Sequence, residues 1–188
     1  MARPQKRPAW RAMLAAAGAL SAVLGEAPPA GAEGNELELA VKATYLYKLA
    51  PFVSWPASTY STPNAPLTIC VQGADPFGAV LDRATGGQVV GTHPVVVRRL
   101  ARLEPGSGCQ IAFVAGGPAQ SQAQALQAVA GAPVLTVTDE ERGSSARGIV
   151  QLLLEGGKVR FSIDAAQANR NGVAISSKLL ALAVAVQR

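Results

Sequence analysis

Short apolar runs alternate with segments of helical character along most of this chain, and this alternation constrains the fold more than any other feature. The predicted strands are residues 67–71, 94–100, 111–114, 133–137, 149–154 and 159–163. The predicted helices are one that ends near residue 50, then residues 77–83, 118–129, 164–169 and 178–186. Strands that alternate with helices favour a mostly parallel sheet covered on both faces, and a glycine turn joins the last two strands. We predict an α/β fold: a three-layer α/β/α sandwich around a mixed β-sheet, with a C-terminal β-hairpin.

The first 32 residues have the organisation of a cleaved signal peptide. Four basic residues precede a short apolar run at 13–24, and Ala30-Gly31-Ala32 supplies the small residues that a signal peptidase requires. The apolar run is too short to span a bilayer, although an uncleaved anchor is the alternative. We predict cleavage after Ala32, export to the periplasm without stable membrane insertion, and a single domain over residues 33–188.

The calculated basicity of the chain resides largely in this leader. The whole chain has 17 basic and 12 acidic residues, of which the leader holds four and one. The mature chain therefore has a net charge of about +2. This balance does not indicate binding to nucleic acid.

Five of the eight aromatic residues of the mature chain lie in residues 36–60. Apolar residues there recur at steps of three and four, from Leu39 to Val53, which is typical of one face of a helix. Pro51 predicts that this helix ends near Ala50. Aromatic residues at helical spacing usually pack in a core, but they also anchor protein interfaces. The second interpretation makes four residues candidates for partner binding: Tyr45, Tyr47, Phe52 and Trp55.

Cys70 and Cys109 are the only cysteines of the chain. An even number of cysteines in an exported protein favours a disulfide. Two buried thiols are the alternative, because cysteine is also a common core residue. Parallel neighbouring strands would also place the two residues at opposite ends. We expect the disulfide.

Residues suited to catalysis or cofactor binding are few. His93 stands alone before a strand, and two cysteines with one histidine do not complete a zinc site without carboxylates. The acidic run at 139–141 indicates a solvated loop. A weak anion site is conceivable where a helix opens after the first buried strand, and its candidate residues are Gly73, Asp75 and Gly78. The sequence therefore predicts no enzyme, no metal and no cofactor.

Several segments together resemble one known family, the YfiR-like family, from about residue 39 to residue 184. They are the aromatic helix that ends in Trp55-Pro56, LTICVQGADPFG, VVVRRL, Cys109 followed by IAFV, PVLTVTDEERG, GIVQLLLEGGKVRFSID and ISSKLLALA. The resemblance implies a periplasmic α/β protein that is often a homodimer. It also implies repression of an inner-membrane diguanylate cyclase through the cyclase's periplasmic domain, which lowers cyclic di-GMP signalling and biofilm formation.

Two further expectations concern relief of the repression, one from the resemblance and one from the two cysteines. An outer-membrane lipoprotein with a peptidoglycan-binding domain is expected to relieve the repression by sequestering the repressor. If Cys70 and Cys109 pair, reduction is a second route to relief. Related domains also serve as sensory inputs, so the alternative function is a periplasmic small-molecule sensor that acts on another signalling partner.

Overall fold

The structure, a computed structural model, describes residues 30–140 and 145–188. The predicted signal peptide lies outside the described residues except for its last three, which belong to the first helix. Cleavage after Ala32 stays a prediction. None of the described helices combines the length and the apolar character that crossing a bilayer needs.

Five α-helices and ten strands make up the described fold. The helices are α1 (Ala30–Lys48), α2 (Ala79–Thr85), α3 (Gln122–Ala128), α4 (Ala165–Arg170) and α5 (Ser177–Leu180). The strands are β1 (Val53–Ser54), β2 (Leu67–Gly73), β3 (Val89–Val90), β4 (His93–Leu100), β5 (Ile111–Gly116), β6 (Leu135–Asp139), β7 (Val150–Glu155), β8 (Lys158–Asp164), β9 (Ala174–Ile175) and β10 (Ala185–Gln187).

Eight of the strands form one mixed sheet in the order β10-β8-β7-β6-β5-β2-β4-β3. Strands β4, β2, β5, β6 and β7 are parallel, whereas β8 and β3 run antiparallel to their neighbours β7 and β4. The parallel part has the strand order of a doubly wound α/β fold, with the reversal of order between β2 and β5. Strands β1 and β9 form a separate antiparallel pair.

The two faces of the sheet pack against different helices, which gives the three layers that the sequence predicts. Apolar side chains of β2, β5, β6, β7 and β8 form the larger core together with α1, α2, α4 and α5. The smaller core lies on the other face, where α3 contributes Ala125 and Leu126. Alternate residues of β2 serve the two cores, since Ile69 belongs to the larger and Cys70 to the smaller.

The disulfide forms within the smaller core, with the Cα atoms of Cys70 and Cys109 5.8 Å apart. Cys109 lies outside β5, in the segment that precedes it. The register pairs Ile69 with Ile111, so Cys109 is close to the start of β2. Cys70 lies in the middle of β2 and not at its end, and Cys109 precedes β5, so the two side chains meet although the strands are parallel.

The helix predicted over residues 178–186 is wrong in its second half. The helix α5 ends at Leu180, and β10 then pairs in parallel with β8. Residues 179–186 are apolar at every position, so their sequence has no polar face that would favour a helix over a strand. The strand instead covers the backbone groups that β8 would leave unpaired at the edge of the sheet.

Asp139 also departs from the prediction of a solvated acidic loop. It is the last residue of β6 and is 6% exposed. A carboxylate in such a position requires a partner of opposite charge, and that partner belongs to α1.

Candidate partner-binding surface

One side of α1 forms an open groove with the β7–β8 hairpin. Leu37 and Val41 of α1 face Leu154 and Val159 of the hairpin across a cavity of about 520 Å³. Leu37 is 68% exposed and Leu154 is 41% exposed. Contiguous apolar surface of this kind is typical of a site that binds another molecule.

The groove continues along α1 towards its C-terminal end. Val41 borders a second hollow of about 410 Å³, which Ala40, Thr44, Tyr45 and Lys48 also line. The ring of Tyr45 meets the ring of Phe161 edge to face at 5.7 Å. We name the surface formed by Leu37, Val41, Tyr45, Leu154 and Val159 the α1 groove.

Charged side chains lie at the margin of the α1 groove, and its centre is apolar. Glu38 and Lys158 line the first cavity and Lys48 lines the second. An apolar centre with a polar margin is the usual anatomy of a protein–protein interface.

A buried ion pair holds α1 on the sheet behind this groove. The Nζ atom of Lys42, which is 1% exposed, donates a hydrogen bond of 2.7 Å to Oδ2 of Asp139. Lys42 also forms an ion pair with Glu38, one helical turn earlier. The pair with Glu38 is local to the helix, whereas the contact with Asp139 joins residues that are 97 apart in the chain. Because a buried charge is costly unless it is paired, this contact fixes the rotation of α1 and keeps Val41 on the groove side.

The four aromatic candidates lie at different places on the surface. All of them are half-buried and pack against the larger core. Tyr45 lies in the α1 groove, whereas Tyr47 is two residues away on the helix and has the ammonium group of Lys48 5.6 Å from the centre of its ring. Each residue turns the helix by about 100°, so the two tyrosines point to different sides.

Phe52 and Trp55 follow the helix and contact other segments. The carbonyl oxygen of Phe52 accepts a hydrogen bond of 2.9 Å from the backbone N–H of Ser176. The indole N–H of Trp55 donates to the carbonyl oxygen of Gln110 at 3.2 Å. These contacts give both residues a role in the fold, and their role in partner binding stays a prediction.

The weak ligand candidates lie at the turn between β2 and α2. Asp75 accepts a hydrogen bond from the backbone N–H of Phe77 at 2.7 Å and another from Nε of Arg99 at 2.7 Å. Arg99 also donates to the carbonyl oxygen of Gly78 and to Asp82. Hydrogen bonds to Asp82 and Asp75 raise the pKa of the Arg99 guanidinium above its ordinary value.

Gly73 is required by the close approach of β2 and β5. A side chain at Gly73 would collide with the backbone of Gly116. The carboxylate of Asp75 is therefore engaged within the protein, and the backbone is closely packed at Gly73 but open at Gly78. Ligand binding by Gly73, Asp75 and Gly78 stays a prediction.

His93 and Tyr60 form a stacked pair, with ring centres 4.0 Å apart. Nδ1 of His93 lies 2.6 Å from the carbonyl oxygen of Ala65, to which it donates as the N–H tautomer. Burial raises the pKa of the Tyr60 hydroxyl. Across residues 30–140 and 145–188, His, Cys, Asp and Glu side chains form no group of three that would hold a metal ion.

The fold and its exposed groove define an α/β domain with a surface suited to contact with another molecule. Residues 39–184, more than half of the chain, match the YfiR/HmsC-like family model, and the chain belongs to this family. The family is periplasmic, regulatory and non-catalytic, and its members act with signalling partners to regulate diguanylate cyclase signalling. No curated protein is significantly similar to the chain.

Proposed function

We propose that this protein represses an inner-membrane diguanylate cyclase by binding the cyclase's periplasmic domain through the α1 groove. Repression lowers cyclic di-GMP and, through it, biofilm formation. The observation that carries the proposal is the exposed apolar surface of Leu37, Val41 and Leu154 in a member of a regulatory family.

The mechanism is preferential binding to one state of the cyclase. A repressor shifts a two-state partner only by the difference between its affinities for the two states. Holding an otherwise balanced cyclase about 1% active requires a preference of about 2.7 kcal/mol. A few apolar anchors in an interface supply free energies of this size.

The four aromatic residues enter this proposal unequally. Tyr45 is part of the α1 groove and is expected to contact the cyclase directly. Tyr47, Phe52 and Trp55 are expected to extend the contact or to support the groove from beside it. A peptidoglycan-binding lipoprotein of the outer membrane would relieve repression by sequestering this protein, which we expect to act as a homodimer.

The proposal is tested by site-specific crosslinking in the periplasm. A photoreactive amino acid replaces Leu154 in one variant and Leu37 in another. Val89 provides the matched control, because it is an apolar residue that is 59% exposed on β3, at the opposite edge of the sheet. We expect both groove positions to crosslink to a membrane protein with a diguanylate cyclase domain, and position 89 to give no such product.

Two outcomes of the crosslinking experiment would contradict the proposal. A cyclase adduct that forms at position 89 but at neither groove position would place the interface elsewhere. Adducts of the groove positions that contain only proteins without a cyclase domain would reject the proposed partner.

A further inference from the structure

A cleft between α3 and α4 is a second concave surface, separate from the α1 groove. It has a volume of about 590 Å³, within the range of sites that bind small molecules. Ala123, Leu126 and Ala130 form its apolar side, and amide side chains of Gln127 and Gln167 border it.

Two arginine side chains give this cleft its charge. Arg147 and Arg170 line it, and no acidic residue does so among those that the structure describes. Arg147 has one long ion pair, 4.0 Å between its Nη2 and Oε1 of Glu140, and both side chains are exposed. Exposed pairs of this length contribute little, so Glu140 leaves most of the donor capacity of Arg147 for another anion.

Arg170 makes no side-chain hydrogen bond or ion pair with any residue in the described part of the chain. Its place in the last turn of α4 is favourable for a cation, because the carbonyl end of a helix is partly negative. The attraction to the helix end accounts for the positive charge of Arg170 on α4. It does not account for Arg147, which lines the same cleft from another segment.

The back of the cleft is held in place by Asn171, which is buried. Its Oδ1 accepts a hydrogen bond of 2.9 Å from the backbone N–H of Gly131, and its Nδ2 donates to the carbonyl oxygen of Val134 at 3.2 Å. These bonds join the end of α4 to the turn after α3. The cleft is therefore formed in advance of any ligand, which lowers the entropic cost of binding.

We propose that this cleft binds a small organic anion, whose carboxylate or phosphate group contacts Arg147 and Arg170 while its apolar body packs against α3. Guanidinium groups bind such oxyanions through charge-assisted hydrogen bonds, often in pairs. The amides of Gln127 and Gln167 add donors and acceptors for polar substituents. The inference does not depend on the proposed function, because binding is measured without a cyclase.

The test uses purified full-length mature protein and two probes, phenyl phosphate and the uncharged analogue benzyl alcohol. Backbone amide shifts are followed by nuclear magnetic resonance during titration. We expect saturable shifts with phenyl phosphate at Gly131 and in residues 167–171, and none with benzyl alcohol. Arg170→Gln and Arg147→Gln are each expected to weaken binding about tenfold, the loss of one charge-assisted contact.

Arg83→Gln is the matched control, because Arg83 is also exposed and also has one long ion pair, 3.9 Å to Glu36. It is expected to leave the affinity for phenyl phosphate unchanged. The proposal is rejected if phenyl phosphate produces no saturable shift, or if benzyl alcohol binds equally well. It is also rejected if Arg83→Gln weakens binding as much as Arg170→Gln does.

Discussion

The two faces of the sheet are stabilised by different means. Among the residues that the structure describes, twenty-two buried ones form the apolar core on the face covered by α1, and the buried Lys42 crosses from the helix to the sheet. On the face covered by α3, nine described residues form the core, and two of them are the cysteines of the disulfide. The smaller core thus relies on a covalent bond where the larger one relies on apolar area.

This difference separates the parts of the molecule that stabilise the fold from the surfaces that are available for binding. One side of α1 packs Ala43 and Leu46 into the larger core, and its other side remains available as the α1 groove. The space between α3 and α4 instead carries a cleft with two arginines. One sheet therefore presents two unlike surfaces, one suited to an apolar protein contact and one suited to an anion.

The largest expected effect comes from removing the disulfide. Cys70 and Cys109 are 39 residues apart, and opening a loop of this size costs about 4 kcal/mol in the chain-entropy model. We expect the double variant C70A/C109A to lose about that much free energy of unfolding, measured with urea. Reductant should destabilise the native protein similarly and leave the double variant unchanged. A native protein indifferent to reductant would show that the smaller core does not need the bond.

A smaller effect is expected on the α1 face from Lys42→Met. The substitution keeps the buried aliphatic volume but leaves Asp139 without the ammonium group, and breaking a buried ion pair costs about 3 kcal/mol or more. Urea unfolding measures the loss. The double variant K42M/D139L should recover at least part of it, because apolar replacement of a buried pair is often tolerated. Unfolding unchanged in the single variant would contradict the role given to this pair.

The third and smallest effect concerns which aromatic residues stabilise the fold through a hydrogen bond. Trp55→Phe removes the indole donor to Gln110 and should cost about 1 kcal/mol in thermal or urea unfolding. Tyr47→Phe is the matched control, because no hydrogen bond involves the Tyr47 hydroxyl in residues 30–140 and 145–188. Equal losses in the two variants would mean that the Trp55 hydrogen bond does not stabilise the fold.

Local patterns in the sequence predict most of the architecture. The apolar stripe of the first helix is confirmed at Ala43 and Leu46, and each predicted strand overlaps an observed one. Ala50 and Val53 are also buried, but they follow the helix, and Val53 belongs to β1. The helix itself ends at Lys48, just before Pro51. These predictions succeed because periodicity and turn residues are local signals.

The features that sequence reasoning missed depend on distant partners. Lys42 becomes a buried anchor only because Asp139 meets it, and β10 becomes a strand only because β8 offers an unpaired edge. The α1 groove likewise joins α1 to a hairpin more than a hundred residues later in the chain. The sequence signal for the groove is the pair of apolar residues that flank the glycine turn, Leu154 and Val159. The same pair also fits an ordinary hairpin.

The most direct test of the central claim is the intracellular level of cyclic di-GMP in a strain that lacks this gene. The strain is complemented with the native protein, with the groove variant L37S/L154S, or with the control V89S. Each substitution is at an exposed position, so each folded protein should keep its free energy of unfolding within about 0.5 kcal/mol. Loss of the gene should raise cyclic di-GMP, and the native protein and V89S should lower it again.

The groove variant decides the question. We expect L37S/L154S to accumulate in the periplasm and fold normally, yet to leave cyclic di-GMP high, because loss of two apolar anchors weakens binding about 30-fold or more. If the groove variant restores the low level as fully as V89S does, the α1 groove is not the repressing surface. If deletion of the gene leaves cyclic di-GMP unchanged, repression of a cyclase is itself contradicted.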